Sequence, residues 1–170
     1  MVMEGLNRLQ VYQHAHDLAR FVYQNVVDAL PPEEKIELTS QIRRAAASIP
    51  AEIAEGYGRY YYQESIRFGY LASCSLMELS SHIDLTVSQG YVSDQTKSIV
   101  DEKMAVLLKL IHGYINYLKE SKRGGNEPGS ISISDHQSVF SNNDEDEMQG
   151  NNYRFRFIIC HSLFTTHDSL

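Results

Sequence analysis

Along the first 120 positions, apolar residues recur at steps of three and four, the repeat that lines one face of an α-helix. In residues 6–30 they are Leu9, Tyr12, Ala15, Ala19, Val22, Val26 and Leu30. Pro31-Pro32 then ends the run, because neither proline can continue the hydrogen-bond ladder. A second run places Ile42, Ala45, Ala46, Ile49, Ile53 and Gly56 on one face, with Arg44, Ser48, Glu52 and Glu55 opposite. That face is mostly alanine. Small side chains let a neighbouring axis come close, which predicts an inner helix packed on at least two sides. Thr39 or Ser40 is placed to cap its start, and Gly56 and Gly58 to end it in the left-handed conformation. Pro50 lies inside the run, where it removes one donor and crowds the carbonyl of Ala46. Because the apolar rhythm continues through Ile53, a kinked continuous helix is predicted, with a helix boundary at Pro50 as the alternative.

The stretch from Tyr57 to Gln63 connects to a third helix over about residues 64–89. Phe68, Ala72, Ser75, Leu79, Ile83 and Val87 mark its inner face, and Gly90 closes it. Ser93 or Asp94 can cap a fourth helix that runs to about Lys122. The seam of this helix, Val100, Met104, Leu107, Ile111, Tyr114 and Leu118, alternates steps of four and three, which suits near-antiparallel packing. Four such helices with short connections, and no strand pattern over residues 1–122, predict an all-α fold. Its form is an antiparallel up-down-up-down four-helix bundle with a second helix kinked at Pro50.

The chain changes character at Arg123-Gly-Gly-Asn-Glu-Pro-Gly129. Residues 124–152 are rich in Gly, Ser and Asn and include the acidic run Asp144-Glu-Asp-Glu147, a composition that predicts a disordered linker. The terminal Tyr153–Phe164 stretch is apolar and β-prone but too short to fold alone. It could add a strand to a partner, dock on the bundle, or be an aberrant extension. The expected organisation is therefore a bundle over residues 1–123 and a tail over 124–170 that is no independent domain.

Charge narrows the choice of partners. The 170 residues hold 15 Lys plus Arg against 22 Asp plus Glu, a formal net charge of −7. A strong sequence-independent nucleic-acid binder carries a basic surplus instead. The balance is uneven: residues 1–123 hold 13 basic and 15 acidic residues, whereas residues 124–170 hold 2 and 7. The acidic run is thus a candidate intramolecular shield for basic groups on the bundle. Two cysteines, Cys74 and Cys160, form no CxxC or Cys/His spacing, which speaks against a disulfide framework or a zinc site. There is no signal-like leader and no apolar window of bilayer-spanning length, so a cytoplasmic, non-membrane setting is expected.

No catalytic or cofactor constellation emerges. A bundle di-metal site needs carboxylates from several helices and paired Glu-x-x-His motifs. This chain offers only Glu78 with His82, four apart. His14, His16, His82 and His112 are scattered and are best explained as solvated or structural. Cys74 fits a small buried apolar role. Gly56-Tyr-Gly58 lacks the lysine of a phosphate loop and follows a helix. What remains is a basic and aromatic concentration: Arg43, Arg44, Arg59 and Arg67, with Tyr57, Tyr60, Tyr61 and Tyr62 interleaved. Such residues can hold phosphates and stack bases. The favoured alternative is that the arginines pair with Glu52, Glu55, Glu64 or Glu78, within the bundle or across a subunit interface. Tyr and Arg are also enriched at protein interfaces. Apolar side positions such as Leu18, Val27 and Ile99, beyond the needs of one inner core, predict a homo-oligomer.

The segment Leu38-Thr-Ser-Gln-Ile-Arg-Arg-Ala-Ala-Ala-Ser-Ile-Pro-Ala-Glu-Ile-Ala-Glu-Gly-Tyr-Gly-Arg59, with Leu9-Gln-Val-Tyr-Gln, Glu64-Ser-Ile-Arg-Phe68, Ser75-Leu-Met-Glu-Leu79 and Gly90-Tyr91, resembles the bacterial four helix bundle protein family. That family is also known from open reading frames in intervening sequences of large-subunit ribosomal RNA genes. The resemblance covers about residues 6–120 and stops short of the tail. It implies an antiparallel four-helix bundle, assembly into ring-like homopentamers, and no established activity for most members. A similar protein is the accessory variability determinant of diversity-generating retroelements, which binds a reverse transcriptase and nucleic acid. That protein is strongly basic, and this chain is not. The function expected is a non-enzymatic, oligomeric binding or scaffolding module. The alternative is an RNA- or DNA-associated accessory protein that uses Arg43, Arg44, Arg59, Arg67, Tyr57 and Tyr61.

Overall fold

A computed structural model describes residues 2–121; the expectations for the tail fall outside the described residues. The chain forms α1 (Val2–Arg8), α2 (Gln10–Asn25), α3 (Leu38–Tyr57), α4 (Tyr62–Ser88) and α5 (Asp94–Ser121), with short 3-10 turns at Val27–Ala29 and Pro32–Lys35. α2 packs on α3 and α5, and α4 packs on α3 and α5, so the four long helices close a bundle with α3–α4 as the most extensive seam. No strand occurs among the described residues.

The core follows the inner-face pattern. Ile42, Ile49, Leu76, Leu79, Ile83, Val100, Leu107 and Ile111 are fully buried with Leu18, Val22 and Val26. Each such side chain contributes roughly 1.5–3 kcal/mol when removed from water. Leu18 and Val27 were expected as surplus surface positions, but they are only 1% and 6% exposed and belong to this core; Ile99 alone of the three is exposed, at 38%. The reason is that α2 contributes a broad stripe, with Ala15, Leu18 and Val22 adjacent on one face.

Several boundaries differ from expectation. The first helix is not continuous over 6–30, because Leu9 adopts an extended conformation (φ −70°, ψ 120°) that separates α1 from α2. Leu9 stays tied to the preceding turn through its N–H, which donates to the Leu6 carbonyl at 3.0 Å. Neither Thr39 nor Ser40 caps α3. The helix begins at Leu38, its N-cap Glu37 makes no side-chain bond, and Thr39 is buried inside the first turn. α3 runs unbroken through a buried Pro50, as the continuing apolar rhythm required.

Of the two glycines expected to end α3, Gly58 does so, though not in the left-handed conformation, and Gly56 does not. Gly58 is the C-cap in ordinary right-handed backbone (φ −74°), with its N–H donating to the Ala54 carbonyl at 3.1 Å. Gly56 is buried within the helix, and a Cβ there would stand 2.8 Å from the Cβ of Phe68. Its role is close approach of α3 and α4, not turn formation. Gly90 does take positive φ (75°) after α4, where the N–H groups of Tyr91 and Val92 return to the Thr86 carbonyl. Ser93 caps α5, its Oγ accepting from the Thr96 N–H at 3.2 Å.

Two details fix the level at which α4 and α5 run past each other. A Cβ on Gly69 would lie 2.7 Å from Cγ1 of Ile115, so Ile115 fills the space that the glycine leaves. At the other end, Lys97 Nζ lies 2.9 Å from Asp84 Oδ1 and donates to Asp101 Oδ2 at 2.6 Å. By contrast, a Cβ on Gly113 within α5 would meet nothing within 4 Å among the described residues outside its own helix backbone. A helix-interior glycine costs roughly 0.5–1 kcal/mol relative to alanine.

Candidate functional site

The four candidate arginines fall into two groups. Arg43 and Arg44 lie in the first half of α3. Arg59 and Arg67 lie around the α3–α4 turn, some fifteen residues and about 22 Å further along the α3 axis. Being consecutive, Arg43 and Arg44 point to different flanks of one helix. Arg43 leans over Tyr23 of α2 with its guanidinium 5.7 Å from the ring centroid, and the Tyr23 hydroxyl donates to the Arg43 carbonyl at 3.3 Å. Arg44 donates to Oε1 of Gln41.

Arg59 is held from two sides. It pairs with Glu55 at 2.5 Å and lies 5.0 Å from the Phe68 ring centroid. Of the expected ion pairs to Glu52, Glu55, Glu64 or Glu78, the Arg59–Glu55 bridge is therefore present. Arg67 is exposed on α4. The bridge is surface-exposed and worth less than about 1 kcal/mol, but the cation–π contact adds a fixed orientation for the guanidinium.

The aromatic part of the turn is larger than the sequence suggested. Tyr60 and Tyr61 meet edge to face at 5.3 Å, and Tyr60 is exposed. The Tyr57 hydroxyl abuts Gly5 of α1. Burial raises the Tyr114 pKa above the ordinary tyrosine value, and neighbouring Tyr57 and Tyr117 raise it further. Tyr114 and Tyr117 at the end of α5 therefore join Tyr57, Tyr60 and Tyr61 at one end of the bundle. Tyr114 read in sequence as part of the inner seam, and Tyr117 carried no signal, because only tertiary packing brings the end of α5 to the α3–α4 turn.

The acidic residues of α3 are not simply on its solvent side. Glu52 is half-buried against α4, where Ser75 Oγ donates to Oε1 and Oε2 at 3.1 and 3.0 Å. Its pKa is raised, first by burial and then by the charges of Glu78 and Glu55, while the Ser75 bond works in the opposite direction. Glu78 Oε1 lies 3.6 Å from His82 Nε2 one turn later. No three His, Cys, Asp or Glu side chains gather within metal-ligating reach among the described residues. Cys74, expected as a small buried apolar residue, is only partly buried. No helix among the described residues is long and apolar enough to cross a membrane.

The exposed apolar residues are ordered as well. Ile99, Val106 and Tyr117 on α5, and Tyr70, Met77 and Leu85 on α4, are each between 38% and 64% exposed. With Lys103, Leu110 and Gly113, the α5 set follows steps of four and three down the flank next to α2, where Lys103 lies over the Phe21 ring at 5.4 Å. On α4, Tyr70, Cys74, Met77 and Ser81 follow the same steps down the flank next to α5, with Leu85 one turn further.

Comparison with known proteins places this arrangement. A protein of unknown function from the S23 ribosomal protein family of Bacteroides thetaiotaomicron VPI-5482 has the same fold, with a TM-score of 0.56 and 21% identity over 62% of this chain and 97% of that one. No curated protein matches. The sequence profile of the 23S rRNA-intervening sequence proteins matches residues 7–113, which takes in α2, α3, α4 and most of α5, and the chain belongs to that family.

Proposed function

We propose that this protein is a non-enzymatic, homo-oligomeric helical module, which binds or scaffolds a macromolecular partner by presenting its Arg and Tyr side chains several times over in one assembly. The observation that carries this reading is the pair of exposed apolar stripes on α4 and α5. Contiguous apolar surface left on a protomer is characteristic of an interaction face. A closed assembly of identical bundles would cover it. The resemblance described above adds five as the copy number. Static light scattering of the full chain at micromolar concentration tests the reading: a mass near five chains supports it, and a monomer mass overturns it.

The second reading is association with RNA or DNA, or with a reverse-transcriptase-like enzyme that handles them. It draws on the exposed Arg67, the fixed guanidinium of Arg59 and the tyrosines beside them, and on a family name that refers to 23S rRNA. A labelled single-stranded RNA titrated against the full chain at low and moderate salt tests it. Binding that weakens with salt and is lost in Arg59→Ala/Arg67→Ala supports it. No binding even at low salt rejects it.

A further inference from the structure

The two apolar stripes differ in one respect that a single bundle does not explain. Gly113 interrupts the α5 stripe between Leu110 and Tyr117, its Cβ position is open, and its backbone is ordinary helix. Among the described residues nothing uses the missing side chain, so within α5 the glycine serves no close approach to another described helix. The level of α4 against α5 suggests what the gap receives. Inside the protomer Ile115 sits at Gly69 and Lys97 at Asp84, so positions on the two antiparallel helices that share a level have numbers adding to about 181–184. By that register Tyr70 shares a level with Gly113, Met77 with Val106, and Leu85 with Ile99.

We propose that the α5 stripe of one protomer packs against the α4 stripe of a second copy of the chain set side by side at the same level. The large Tyr70 ring then enters the gap at Gly113, Met77 covers Val106, and Leu85 covers Ile99. The contact runs for about 27 Å, the length of α5 from Ile99 to Tyr117. Its charge pattern agrees: Lys103 is the charge within the α5 stripe, and Glu78 borders the α4 stripe close to the same level. The 4-3 spacing on both sides is what near-antiparallel helix packing requires. Because the two stripes lie on different flanks of one protomer, the contact is head-to-tail, a type that closes into a ring when the rotation between neighbours divides a full turn. An α5–α5 contact would instead leave Tyr70, Met77 and Leu85 uncovered.

This inference rests on the self-association reading and deepens it by naming the surfaces. The test is the full chain carrying Met77→Cys and Val106→Cys, with Cys74→Ser and Cys160→Ser to remove the native thiols. Both introduced positions are exposed, so the fold tolerates them. Mild oxidation should yield a disulfide between positions 77 and 106 of different chains, seen as a ladder on non-reducing gels and assigned by peptide mass. Chains with Ala47→Cys in place of Val106→Cys should give no ladder. A second measurement uses Gly113→Leu, which should weaken association at least about tenfold while leaving the helical content unchanged, and adding Tyr70→Ala should recover part of the loss. An oligomer that forms only 106–106 or 77–77 links, or none, or that tolerates Gly113→Leu, overturns the inference and leaves self-association standing. A monomeric parent protein overturns both.

Discussion

Gly69 and Gly113 are both helix-interior glycines, one in α4 and one in α5, and they could hardly be used more differently. At Gly69 the absent side chain is replaced by Ile115, which reaches within 2.7 Å of where a Cβ would stand. At Gly113 the same space is open among the described residues. The first is a packing device completed inside the protomer. The second is matched by no side chain among the described residues. A glycine in a helix is therefore informative only together with what fills its gap, and the open one lies on the flank from which the side-by-side packing is proposed.

The contrast can be broken by substitution, starting with the inner seam itself. Leu107→Ala, at a fully buried position, should cost about 2–5 kcal/mol in urea or thermal unfolding followed by circular dichroism. A cost below about 1 kcal/mol would mean that the α5 seam is not the core described. Gly69→Ala should cost about 1–3 kcal/mol, because Ile115 must move off its rotamer to admit one methyl group. Gly113→Ala should have the opposite sign when measured at dilutions where chains are dissociated, stabilising the protomer by roughly 0.5–1 kcal/mol. Equal signs for the two glycine substitutions would remove the distinction between them.

The smallest expected effect concerns Glu52, on the α3–α4 seam. Its pKa is raised in the folded protein, mainly by burial. The folded state therefore holds this proton more tightly than the unfolded chain does. The carboxylate then costs stability above its unfolded pKa, and that cost disappears as pH falls through the window between the two values. Glu52→Gln keeps an acceptor for Ser75 and should stabilise the fold slightly at pH 7, by well under about 1 kcal/mol in thermal unfolding because the group is half-exposed. The gain should shrink toward pH 4. A gain that persists at pH 4, or a loss at pH 7, would show that the Ser75 bond outweighs burial.

Much of the fold could be read directly from residue spacing. The 4-3 seam of α5, the alanine-rich face of α3, continuity through Pro50 and the closing Gly90 each follow from local rules of helix geometry and backbone freedom. The break at Leu9 could not be read, because Leu9 also fits the apolar rhythm, and only the fold shows its extended backbone and Gly5 of α1 beside Tyr57 of α3. The missed cap of α3 has a similar cause. Thr39 is a good capping residue by type, but packing buries it inside the first turn. For the candidate site, the sequence brought forward the residues of the α3–α4 turn, and Glu55 was one of four acidic partners it offered the arginines. It could not bring in Tyr114 and Tyr117, which lie more than fifty residues away.

The sequence alone determined the number of long helices, their inner faces and the family, since these depend on the periodicity and identity of near neighbours along the chain. Tertiary structure decided which apolar residues remain outside. Leu18 and Val27 went into the core while Ile99 did not. Tertiary structure likewise separated Arg43 and Arg44 from Arg59 and Arg67, and set α4 beside α5 at one level. The physical reason is that helix periodicity specifies a direction around one axis, whereas burial depends on how far each neighbouring helix extends along it. Only the packed bundle supplies that length, and with it the difference between a gap that is filled and one that is open.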